Sequence, residues 1–173
     1  MFTSGKRSLG GACLVITILG CIAIGDGVVT YQRVRRATAK IEGLNGAVDD
    51  LSYPPRHVTF ALMGIKPKIT DSGFQRLLPY LASFGCLESI DLSGTSVTAD
   101  GLKGIERLKT LERLDLPGQC ATERVIESIA DLKLRSLYLY GTNVPGKVVA
   151  RLHRMSPSTE VHLIQRRWSQ PSE

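Results

Sequence analysis

Patterns that bind metals, phosphates or nucleic acids are missing from this chain. Its four cysteines, Cys13, Cys21, Cys86 and Cys120, form no C-x-x-C pair and no Cys/His cluster, which argues against a zinc site. No G-x-G-x-x-G or phosphate loop occurs. His57 and His153 have no ligand-type partner at useful spacing. Aromatic residues make up only 6% of the chain, and the net charge of +6 is shared between its N-terminal third and the rest rather than gathered in a block. A nucleic-acid binder would carry a basic stripe with stacking aromatics. The expectation is no cofactor, no metal, no nucleic acid and no catalytic centre.

One long apolar run stands out against this background. Residues 9–24 read LGGACLVITILGCIAI, preceded by Lys6 and Arg7 and followed by Asp26. Sixteen helical residues span about 24 Å, short of the ~30 Å hydrocarbon core, and extension to Val29 reaches that length with Asp26 near an interface. Residues 1–30 are therefore expected to be a membrane anchor or a secretory signal. Ile18-Leu19-Gly20-Cys21 also resembles a bacterial lipobox, which would make Cys21 a lipidation site. A buried core helix is the plainest alternative. The basic residues on both sides leave the orientation of an anchor open; the localisation implied is a single-pass membrane protein or export to the cell envelope.

Residues 31–55 read as a helical connector. Val34, Ala37, Ile41, Leu44, Val48 and Leu51 alternate spacings of three and four, an a/d seam over about two and a half heptads. The seam predicts either a short parallel coiled coil that makes a homodimer or one amphipathic helix. Tyr53-Pro54-Pro55 ends it and opens the next region.

From residue 56 onward an aliphatic pattern recurs. Leu87, Ile90, Leu92 and Val97 return as Leu111, Leu114, Leu116 and Ala121, and again as Leu134, Leu137, Leu139 and Val144. A unit this short cannot bury its own apolar face and must stack on copies of itself. Residues 88–92, 112–116, 135–139 and 159–163 alternate with period two and predict strands. Leu102, Ile105 and Leu108 match Ile126, Ile129 and Leu132, then Val149, Leu152 and Met155, predicting short helices or 3₁₀ turns against those strands. An earlier, degenerate unit aligns Phe60 and Leu62 with Ile90 and Leu92. Thr70, Thr98 and Thr122 are placed to cap the helices that follow. Gly94, Gly118 and Gly141 recur where each strand exits into its loop. Trp168 is expected to cover the apolar end of the last strand.

Residues 86–155, with the text CLESIDLSGTSVTADGLKGIERLKTLERLDL, resemble bacterial leucine-rich repeats of the cysteine-containing and ribonuclease-inhibitor-like subtypes. Thr95, Gln119 and Thr142 stand where that family usually carries Asn or Cys. The resemblance implies an α/β leucine-rich repeat solenoid over residues 56–173, a short horseshoe with a parallel sheet, and protein–protein recognition on its concave face. The partner itself is not implied.

Outward strand positions should align in columns about 4.8 Å apart. One column is expected to read Thr59, Ser89, Arg113, Ser136, Glu160; the next Ala61, Asp91, Asp115, Tyr138, His162; the third Met63, Ser93, Pro117, Tyr140, Ile164. Tyr138 and Tyr140 are of a type enriched at interface anchors. With Arg113, Asp115 and His162 they form the expected partner-binding patch. Asp91 and Asp115, adjacent in one column, are placed to share a proton or hold a cation, although a gently curved sheet offers no closed, dry pocket for chemistry. A structural or assembly role, with self-association through residues 34–51 or through the solenoid edges, is the alternative to recognition.

Overall fold

The computed structural model describes residues 31–49, 54–62, 65–141 and 144–165. The apolar run at 9–24, with Cys21, lies outside them, as do Leu51, Met63, Thr142 and Trp168. No helix among the described residues is long and apolar enough to cross a membrane.

The chain is α/β; among the described residues one six-stranded sheet has its strands side by side in sequence order. Its elements are α1 (residues 31–43), β1 (Ala47–Val48), β2 (His57–Thr59), α2 (Asp71–Ala82), β3 (Ser89–Asp91), β4 (Arg113–Pro117), α3 (Glu123–Ala130), β5 (Ser136–Tyr140), α4 (Gly146–Met155) and β6 (Glu160–Ile164). Short 3₁₀ turns occupy Ile105–Arg107 and Gly118–Cys120. Strands β2 to β6 pair in parallel, whereas β1 runs antiparallel to β2.

The core follows from period two. Val58, Ile90, Leu114 and Leu137 share one register position and are sealed from solvent. Leu116 and Leu139 continue the next inward column, and Phe60 and Leu92 are buried with them. Helix side chains complete the same cluster: Phe74, Leu77, Leu78 and Leu81 from α2, Val125, Ile126 and Ile129 from α3, Val148 and Leu152 from α4. Between β3 and β4, where the chain makes turns and 3₁₀ geometry in place of an α-helix, Leu102, Ile105 and Leu108 supply the apolar edge.

Four local expectations are corrected. First, Val58, not Phe60, lies opposite Ile90, so the first rung is shifted by two residues and Thr59, not Ala61, stands beside Asp91. The stretch from Val58 to Ile69 is four residues longer than its counterpart from Ile90 to Val97, where the sequence pattern suggested two extra residues around Lys66-Pro67-Lys68. Second, the helical connector stops at residue 43. Asn45 turns with φ 59°, a left-handed conformation Asn tolerates, and the chain re-enters as β1. Val34, Ala37 and Ile41 are buried in this chain's own core, with Leu44 and Val48 packed on it. The seam is thus occupied at one end of the sheet and is not the exposed stripe a coiled coil needs. Third, Thr98 caps no helix. Its hydroxyl accepts the N–H of Asp100 and donates to Asp71 Oδ2 at 2.7 Å. Thr70 and Thr122 do cap α2 and α3, each accepting at 3.3 Å from the N–H three residues on. Fourth, α4 buries Val148 and Leu152, four apart as a full α-turn requires, and leaves Met155 exposed.

Side-chain hydrogen bonds tie the loops that follow β3 and β4 each to the one before it. Gln119 Nε2 donates to Val97 O at 3.1 Å, and Cys120 Sγ lies 3.1 Å from the same oxygen. Thr95 works within its own turn, donating to Leu92 O and accepting from Val97 N. Asp71 takes both the N–H and the hydroxyl of Thr98. Gly101 makes that contact possible, since a Cβ there would meet Asp71 Oδ1 at 2.5 Å and its Cα at 2.9 Å. Gly118 plays the same part further along, its Cβ position lying 3.0 Å from Tyr140 O.

The ends of the sheet differ. Leu163 on β6 is 47% exposed, whereas its register neighbour Leu139 is 0% exposed.

Candidate binding surface

The sheet face opposite the core carries polar and aromatic side chains. In register across it stand His57, Ser89, Arg113, Ser136 and Glu160 in one column, then Thr59, Asp91, Asp115, Tyr138 and His162. Pro117, Tyr140 and Ile164 form the third. Apart from the first rung, and from Ser93, which lies beyond the paired residues of β3, these are the columns expected from sequence.

Arg113, Asp115, Tyr138, Tyr140 and His162 are brought into one continuous chain of contacts. The imidazole of His162 stacks on Tyr138, centroids 4.4 Å apart and planes 13° from parallel. The guanidinium of Arg113 lies 4.2 Å from the centroid of the same tyrosine ring, a cation–π placement. Arg113 donates to Asp115 through Nε and Nη2, both at 2.9 Å, the two-pronged geometry in which arginine exceeds lysine. Tyr140 Oη reaches the far carboxylate oxygen at 3.5 Å. The tyrosines and His162 remain half-buried and Arg113 is exposed, so the patch is both fixed and accessible.

Asp91 and Asp115 occupy the same column, yet their surroundings differ for a reason visible in the sequence. Asp91 accepts the N–H of Ser93, two residues on, at 2.8 Å. The residue two after Asp115 is Pro117, which has no N–H to give. Asp115 turns instead to Arg113, two residues before it, and is only 1% exposed. Burial is the main influence on its carboxyl and raises its pKa; the Arg113 hydrogen bonds oppose that shift, and the Asp91 charge adds to it. Asp115 in turn helps hold Arg113 firmly protonated. Burial foremost, then the Asp115 charge, also raises the Tyr140 phenol. The side chain of Asp91 keeps one further contact, a hydroxyl donated by Thr59 at 3.4 Å.

Beside the patch the face sinks into an open groove lined by β1, His57, Asp91 and Arg113 among others. Two more acidic residues on its rim are paired with cations, Glu88 with Arg56 and Glu112 with Arg135. Asp49 closes the end of the groove and accepts the backbone N–H groups of Arg56 and His57 at 2.9 and 3.0 Å. His57 and Asp49 were missed as members of this face, and Thr59, expected beside Ser89, stands beside Asp91. The shifted first rung hid His57, and a two-residue strand such as β1 carries no periodic signal. Among the described residues no group of three or more His, Cys, Asp or Glu is arranged to hold a metal ion.

No protein-family model, no curated protein and no solved structure matches the chain.

Proposed function

We propose that this chain is a leucine-rich repeat solenoid that recognises another protein through the exposed face of its parallel sheet. It acts at the bacterial cell envelope, held to the membrane by its N-terminal apolar segment. The observation that carries the reading is the interlocked patch: five outward side chains from three adjacent strands are immobilised against one another before any partner arrives. Preorganised aromatic and arginine groups lose little entropy on binding, which is why such residues dominate interface energetics. The repeating aliphatic columns and the in-order parallel strands support the solenoid. The reading is of binding rather than catalysis, since the face is open and its best-buried ionisable side chain is engaged with Arg113.

The test is a Tyr138→Ala/Tyr140→Ala double variant, compared with wild type for recovery of a partner from envelope extracts. The variant should fold and lose the partner. Undiminished recovery by a folded variant refutes the patch.

A second reading, assembly through the open end of the sheet, draws on Leu163 and Met155, both substantially exposed at β6 and α4. It requires concentration-dependent self-association of the purified chain, measured by sedimentation.

A further inference from the structure

Resting on the recognition reading above, we propose that the sheet face takes a linear peptide segment carrying a basic side chain at Asp91 and a bulky apolar side chain about three to four residues away, beside Tyr140. Charge complementarity selects the cation. The groove and its rim carry five acidic residues: Glu88 is paired with Arg56, Glu112 with Arg135, and Asp115 with Arg113, Asp49 accepts the backbone N–H groups of Arg56 and His57, and Asp91 is held only by the neutral donors Ser93 N–H and Thr59 Oγ1. It is half-buried on the groove floor and has no cationic partner among the described residues.

The apolar requirement comes from the other half of the same face. Tyr140 and Ile164, half-buried at one register position on β5 and β6 and backed by the buried Pro117 on β4, form a small apolar shelf edged by the Tyr138–His162 stack. Asp91 on β3 and Tyr140 on β5 are two rungs apart, roughly 10 Å at ~4.8 Å per rung, and offset by two residues along the strand, so the diagonal between them is roughly 12 Å. An extended peptide crossing the strands obliquely covers that distance in about three to four residues at ~3.3 Å each. The Arg113–Asp115 pair sits between the two subsites. Because Asp115 neutralises it, Arg113 does not repel a cation arriving one rung away. The whole chain carries a net charge of +6, so attraction of a basic peptide reports the local field of this groove and not overall charge.

The experiment pans a random-peptide phage library on the full chain in neutral detergent micelles, then measures the enriched peptides against wild type, Asp91→Asn and Tyr138→Ala/Tyr140→Ala. In Asp91→Asn the amide oxygen still accepts the Ser93 N–H, so the fold survives; matching circular dichroism verifies this. The expected result is enrichment of Lys or Arg about three to four positions from an aromatic or large aliphatic residue. Affinity for Asp91→Asn should fall about 10-fold, the effect of one lost charge-assisted hydrogen bond, and wild-type binding should weaken as salt rises. Enrichment of acidic or uncharged peptides, no enrichment, or equal affinity for Asp91→Asn overturns the proposal. Peptides that need both tyrosines but carry no basic residue overturn it while leaving the recognition patch standing; peptides indifferent to the tyrosines and to Asp91 remove both. Self-association abolished by Asp91→Asn makes a second copy the occupant and likewise overturns a foreign peptide.

Discussion

Removing Arg113 tests whether the patch is held together as described. Arg113→Ala deletes both hydrogen bonds to Asp115, each 2.9 Å, and leaves a carboxylate that is 1% exposed with only a 3.5 Å contact from Tyr140. Orphaning one member of a fully buried ion pair costs about 3–5 kcal/mol. Arg113 itself is exposed at 46% of its side chain, so solvent recovers part of that, and about 1–3 kcal/mol is expected at pH 7. The pH dependence has a fixed sign. Arg113 is the main influence opposing the upward shift that burial and Asp91 impose on Asp115, so its loss raises the folded-state pKa further. A carboxyl whose folded pKa lies above its unfolded value destabilises the fold at pH above both, and that cost disappears as pH falls through the folded value toward the unfolded one. The gap between wild type and Arg113→Ala should therefore narrow from pH 7 downward. Adding Asp115→Asn to Arg113→Ala should restore part of the loss at pH 7, because the buried charge is gone. Urea unfolding of the full chain, followed by far-ultraviolet circular dichroism, measures all of these. A variant within about 0.5 kcal/mol of wild type at pH 7, with no rescue by Asp115→Asn, would show that Asp115 is hydrated and that the patch is not locked through it.

Two further outcomes follow from the core. Leu139→Ala should cost about 2–5 kcal/mol as an internal cavity opens, whereas Leu163→Ala, at the same register position but 47% exposed, should cost under about 1.5 kcal/mol; equal losses in urea unfolding would mean that the sheet end is sealed. Cys120 is buried and its thiol is pushed up to about 12, mainly by that burial, so iodoacetamide at pH 8 should label it only after denaturation, as mapped by peptide mass; labelling of the native chain at the rate of a free thiol contradicts the packing.

The strands and the composition of the binding face could be read from the sequence because period-two alternation is strict where the aliphatic columns are unbroken. Ile90, Leu114 and Leu137 leave one choice of register, and the outward residues follow from it. Where the columns fade, the pattern misled. Phe60 and Leu62 alternate as well as Val58 and Phe60 do, so alternation alone does not choose between them; the fold sets Val58 opposite Ile90. The seam from Val34 to Val48 reads as a helix throughout, yet Gly46 sits against Phe60 and Ile41 so closely that a Cβ there would fall 2.5 Å from the Phe60 ring. That tertiary contact turns the chain and spends the apolar stripe internally. The pairing of Arg113 with Asp115 was legible as neighbours on one face, but its strength depends on Pro117 withholding an N–H, a local detail that periodicity does not register.

The antiparallel entry of β1 gives the sheet a beginning unlike any later rung. That strand runs against the direction of the others, and the helix before it has already buried its apolar residues in the core. Every later strand, by contrast, copies the direction and register of the one before. A unit added by the same rule would therefore widen the face by one rung while leaving its starting point untouched.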